Sequence, residues 1–183
     1  MDANNVAQIP EPPLSRFLFA DTRFAYVWLI LRLYVGWIWI QAGYEKIISP
    51  VWVGSKAGLA VAGFSKAALL KTSGAHPDVS MWYAWWLSHV VIPNAAVFSY
   101  IVSFGELLVG IGLILGIFTG VSAFFGAFMN MNYLFAGTVS INPIMLVVEF
   151  FLILAWRTVG FIGLGRYTRS LIRKIKLHHS VLM

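Results

Sequence analysis

The chain has 183 residues, of which 60% are hydrophobic, 16% aromatic and only 11% charged. A soluble domain carries about 25% charged residues, so a water-surfaced monomer and a disordered chain are both excluded, and the length fits one domain seated in lipid. The net charge is +6 and there is no cysteine. This excludes disulfides, thiolate metal sites and iron–sulfur clusters carried by this chain, and the grouping of the basic residues fits membrane orientation better than nucleic-acid binding.

Residues 1–23 hold Asp2, Glu11, Asp21 and three prolines. They lack the basic start and short apolar core of a cleaved leader and read as a cytoplasmic N-terminal segment. Residues 24–165 read as a four-span membrane domain, since a span needs about 20 mostly apolar residues. The first expected span is Phe24–Tyr44, interrupted by Arg32. The second is Val97–Phe118, interrupted by Glu106. The third is Gly120–Ala136, without charge, and the fourth is Pro143–Ile162, with Glu149 and Arg157. Proline is tolerated in the first helical turn, and Asn142 before it is a suitable N-cap. The connections after the second and third spans are short, which makes antiparallel neighbours. The fold class is therefore all-α: an integral membrane four-helix up-down bundle.

Between the first and second spans lies an insertion, about residues 48–96, too long for a structureless loop. Gly58–Lys71 reads as a helix, and Met81–His89 carries Trp82, Tyr83, Trp85 and Trp86. Clustered Trp and Tyr suit the headgroup level, so this outer segment is expected as one or two interfacial helices. It serves as an aromatic anchor, or as a cap over a site or a partner's docking surface. The tail 166–183 is basic, with Arg166, Arg169, Arg173, Lys174 and Lys176. The positive-inside rule then puts both termini in the cytoplasm and the chain in the cell's inner (cytoplasmic) membrane as a multi-pass protein. His178 and His179 read as solvated residues before metal ligands.

Ionisable residues within spans are costly and usually find partners inside the bundle. At 1.5 Å per residue, Arg32 lies roughly 12 Å deep, Glu106 roughly 18 Å, Glu149 roughly 20 Å and Asn130 roughly 15–18 Å. Arg32 can then meet Glu106 or Glu149. Helical phase puts Arg32, Gly36, Gly43 and Lys46 on one face of the first span, and Ser99, Ser103, Glu106 and Gly110 on one side of the second. Of Asn130 and Asn132 only one can point inward. A polar seam is expected from the bundle middle to the outer face, ending near Lys46, Ser140 and Asn142. It either fixes helix packing or forms a functional site. Gly112, Gly116 and Gly120 read as a packing row, and Phe124, Phe125, Phe128 and Phe135 as lipid-facing or core residues, or as brackets for a flat ring. No histidine lies within a span, so a haem held by two transmembrane imidazoles is not expected. No nucleotide-binding glycine motif is present.

Three sequence features carry a family resemblance. They are Gly43-Tyr44-Glu45-Lys46, the run Gly105-Glu106-Leu107-Leu108-Val109-Gly110 continuing to Leu115-Gly116-Ile117-Phe118-Thr119, and Asn130 with Ala136-Gly137 through Asn142-Pro143. Over about residues 24–165 these resemble the DoxX/DoxD family of small four-helix membrane proteins, and the tryptophan-bearing outer segment is more similar to the DoxD branch. That resemblance implies a membrane subunit of a quinone-linked oxidoreductase, with thiosulfate oxidised to tetrathionate and electrons passed to membrane quinone as a diffusible acceptor. It also implies a second, DoxA-like redox subunit, and no DoxA-like region is seen in this chain. On this reading Arg32, Glu106 and Glu149 are the catalytic candidates, while Lys46, Asn130, Ser140 and Asn142 are the substrate-binding ones. No haem, iron–sulfur cluster or metal is expected. The alternatives are a non-catalytic scaffold or accessory subunit of a redox or respiratory complex, and a small lipid or anion carrier. Expected partners are membrane lipid, another membrane complex or further copies of the chain, and no nucleic acid.

Overall fold

The computed structural model describes residues 10–165. Among them are seven α-helices and no strand: α1 Pro13–Ala20, α2 Ala25–Ile47, α3 Leu59–Leu69, α4 Met81–Trp86, α5 Ala95–Leu115, α6 Thr119–Phe135 and α7 Asn142–Leu154. The basic tail and the histidine pair lie outside the described residues. Two helical stretches, Thr22–Ile47 and Ala95–Leu115, are long and apolar enough to cross a membrane.

The closest packing is of α2 on α5 and of α6 on α7; α5 also meets α6, and α2 meets α7. Small residues permit the first contact. A methyl group added at Gly43 would sit 2.5 Å from the Leu107 backbone nitrogen, and one at Gly110 2.6 Å from that of Ile40. The two backbones therefore touch where a side chain would hold them apart. The shared core comprises Trp28, Val35 and Trp39 of α2, Val109 and Leu113 of α5, and Leu152 of α7. A second core, including Val61, Tyr83, Leu87 and Val91, lies beneath the insertion. α3 and α4 form there as the sequence predicts, and α4 runs on into a π-helical turn at Leu87–Val91.

Two expected spans are altered. α5 stops at Leu115 because Gly116 takes a left-handed conformation (φ 69°) and Phe118 follows in the same region (φ 49°). The three expected packing glycines do not form one row. An added methyl would meet Ser122 at Gly112, the Arg32 guanidinium at Gly116 and Trp156 at Gly120. α7 is shorter than the expected 143–162 span, and the chain from Ala155 onward is a succession of turns. Asn142 is the first residue of α7 rather than its cap, and its amide donates to Thr138 O at 3.0 Å.

The outer surface is apolar. Leu108, Phe118, Phe124, Phe125, Phe128 and Ile144 are all about half exposed or more. A soluble monomer rarely presents so much hydrocarbon, so Phe124, Phe125 and Phe128 of α6 turn outward, whereas Phe135 packs against Trp82 and Tyr83 of α4. Trp82 and Trp85 point outward from α4, whereas Tyr83 is buried and donates its hydroxyl to Asn132 O at 2.9 Å.

Candidate functional site

The polar seam exists, with different pairings from those expected. Arg32, Ser99, Ser103, Glu106, Asn130 and Glu149 are all essentially inaccessible. Arg32 meets neither carboxylate. Its guanidinium donates to Val159 O at 3.1 Å and to Ile162 O at 3.0 Å. The cause lies at the end of α7. Where that helix gives way to turns, backbone carbonyls lose their helical partners, and irregular backbone in an apolar interior must be satisfied by protein groups. Arg32 is the group that reaches them.

Glu106 is paired instead with Lys46, whose ammonium lies 2.6 Å from Oε2. The Tyr133 hydroxyl donates to Oε1 at 2.5 Å. The close approach of Gly43 to Leu107 sets this geometry: Lys46 lies one turn beyond the glycine and Glu106 directly precedes the leucine. The Lys46 ammonium also stands 5.1 Å from the centre of the Trp52 ring. Three helices and the insertion thus converge on one carboxylate.

Glu149 forms a second cluster, with no cation. Trp39 Nε1 donates to its Oε1 at 2.6 Å, and Asn130 Nδ2 to its Oε2 at 2.7 Å. Gly126 provides the room, since a methyl group there would collide with the carboxylate and the indole. Of the two α6 asparagines, Asn130 is the inward one; Asn132 returns its amide to Phe128 O in its own helix. Asn130 Oδ1 is buried without a hydrogen-bond partner.

A cavity of about 1080 Å³ adjoins the first cluster. Lys46, Trp52, Ser65, Asn132 and Tyr133 line one end, with Ser140 and Asn142. Along its length it is walled by α5 and α6, down to Leu115, Phe118 and Val121. Ser140 is exposed, and Asn142 makes its bond within its own turn. These two therefore share the cavity with Lys46, and the Lys46 charge is balanced by Glu106. Among the described residues no group of three or more His, Asp or Glu is placed to hold a metal.

Tyr133 and Trp39 were not singled out from the sequence. The signal was there: Trp39 lies seven residues from both Arg32 and Lys46 and so shares their face, and Tyr133 follows Asn130 by three.

A chain whose described residues form helices and no strand, with an apolar exterior, two membrane-length helices and buried ionic groups, is a helical membrane protein. It belongs to the DoxX family, whose family model matches residues 27–140. The match holds Arg32, Lys46, Glu106, Asn130 and Tyr133, while Asn142 and Glu149 lie beyond it. No curated protein matches the chain, and no solved structure does.

Proposed function

We propose that the protein is the membrane subunit of a quinone-linked oxidoreductase, of the DoxD type, in which α2, α5, α6 and α7 cross the cytoplasmic membrane and both termini face the cytoplasm. The observation that carries this reading is the Lys46–Glu106–Tyr133 cluster at the polar end of a large apolar cavity. Ligand sites are mostly apolar with a few convergent polar groups, and a quinone ring has that chemistry: a flat apolar body with two acceptor oxygens. The Lys46 ammonium is a donor beside such a ring, Tyr133 lines the same end with its one hydroxyl proton on Glu106, and Glu106 fixes both. Glu149 is the proton carrier behind them, joined to α2 and α6 through Trp39 and Asn130. With thiosulfate as donor, two thiosulfates give one tetrathionate and two electrons, and the quinone takes those electrons with two protons to become a quinol. The donor side belongs to a second subunit, as the family resemblance implies.

The test is quinone reduction by the full-length protein in nanodiscs, with thiosulfate, alone and with co-purifying partners. Glu106→Gln is expected to abolish at least 90% of the rate while Trp82→Ala leaves it unchanged. An unchanged rate in Glu106→Gln removes the reading. A second reading, a non-catalytic scaffold, is favoured by one observation: each buried cluster ties together helices distant in sequence, α2 to α5 and α2 to α6 and α7. On that reading Glu106→Gln lowers stability and capture of a partner depends on Trp82 and Trp85.

A further inference from the structure

The cavity is graded along its length. Its α5 wall runs from Phe98 to Leu115, about 25 Å at 1.5 Å per residue, close to the thickness of a bilayer's hydrocarbon core. The ionisable and amide groups gather where the cavity meets α2 and the insertion, at Lys46, Asn132 and Tyr133. Ser65 of α3 lies there too, wholly buried, its hydroxyl without a hydrogen-bond partner. Buried polar atoms in native proteins normally have partners, so this hydroxyl is a donor in want of an acceptor. The far end, among Leu115, Phe118, Val121 and Phe125, is apolar apart from the Ser122 hydroxyl. Leu108, Phe118 and Phe125 are also half exposed on the outer surface, so the wall between α5 and α6 faces the hydrocarbon. The cavity is walled along its length by α5 and α6, and their exposed lining side chains place its opening to lipid between these two helices.

We propose that this groove holds the isoprenoid chain of a membrane quinone along α5 and α6, with the ring at the polar end against Lys46, Tyr133 and Ser65, and that the quinone enters sideways from the lipid between α5 and α6. This rests on the quinone reading above and adds to it the orientation, the route and the role of Ser65 as a positioning residue. The occupant is a quinone rather than a phospholipid because the polar end has no cation to spare for a phosphate, the Lys46 ammonium being paired with Glu106. A neutral ring with acceptor oxygens suits such a place, and an anionic headgroup does not.

The experiment is photolabelling of the full-length protein in nanodiscs. One benzoquinone probe carries a diazirine at the end of a ten-carbon chain, and a second carries it beside the ring. Labelled residues are located by peptide mass mapping. The chain-end probe is expected to label residues 111–125, and the ring probe to label around Trp52, Ser65 and Tyr133. Excess unlabelled long-chain quinone is expected to suppress both at least tenfold. In Ser65→Ala, ring-probe labelling is expected to fall at least fivefold while thermal unfolding is unchanged. Reversed labelling, labels spread evenly over all lipid-facing residues, unchanged labelling in Ser65→Ala, or equal competition by palmitate would each overturn the proposal. None of these readouts requires turnover. Correct labelling in a protein that does not reduce quinone removes the enzymatic reading and leaves the site, whereas turnover without groove labelling does the reverse.

Discussion

The Lys46 ammonium and the Glu106 carboxylate lie 2.6 Å apart, although sixty residues separate them in the chain. Glu106 is 1% exposed and the Lys46 side chain 19%, so the pair is shielded from solvent on nearly every side. Removing one partner of a buried pair costs about 3–5 kcal/mol, because the other is left as an uncompensated charge. Lys46→Met is therefore expected to destabilise strongly. The double variant Lys46→Met/Glu106→Leu should recover most of that loss, falling short by the Tyr133 hydroxyl that then lacks its acceptor. Denaturant unfolding in a mild detergent measures all three proteins, and a double variant as unstable as Lys46→Met would sink the argument.

Arg32 acts on the chain that follows α7. Arg32→Met leaves the buried carbonyl of Val159 and the part-buried carbonyl of Ile162 without their donor, at about 1–3 kcal/mol for the buried one. The loss should be local: hydrogen exchange at residues 155–165 is expected to speed up at least tenfold, while the centre of α5 stays protected. Arg32→Lys should recover less than half of the protection, since one ammonium cannot reproduce the two-pronged reach of a guanidinium. Uniformly faster exchange across all helices would contradict this.

Glycine substitutions separate close packing from open surface. Gly43→Ala drives a methyl group against Leu107 backbone, and Gly126→Ala drives one into Glu149 and Trp39. Overpacking of this kind costs about 1–3 kcal/mol, and both variants are expected to unfold at lower temperature. At Gly63 nothing lies within 4 Å of an added methyl. Gly63→Ala should be stabilising by up to about 1 kcal/mol through helix propensity alone. A thermal shift assay ranks the three.

The Glu149 cluster is expected to behave as a unit. Trp39→Phe and Asn130→Ala each remove one of the two donors, and the double variant removes both. Neighbours sharing one partner show coupling of about 0.5–3 kcal/mol, so the single losses should not sum to the double loss. Strict additivity would mean that the two donors act independently on the carboxylate.

Much of this architecture is written in local pattern. The low charge and long apolar runs specify helices with an oily exterior, because a chain without enough polar surface must hide its backbone in helices where water is scarce. Helical phase alone placed Arg32, Gly36 and Gly43 on one buried face and Ser99, Ser103 and Glu106 on another, and it allowed only one of Asn130 and Asn132 to point inward. What phase cannot supply is the distance between faces of different helices. Arg32 was expected to answer a carboxylate because opposite charges attract. In the folded chain α7 unwinds early, and its freed carbonyls claim the guanidinium. Lys46 reaches Glu106 because Gly43 lets two backbones touch, a contact set by the packing of α2 on α5 rather than by either segment. Sequence periodicity thus determined which residues turn inward, and only the tertiary structure decided which of them meet, since pairing depends on helix ends and interhelical spacing that no single helix encodes.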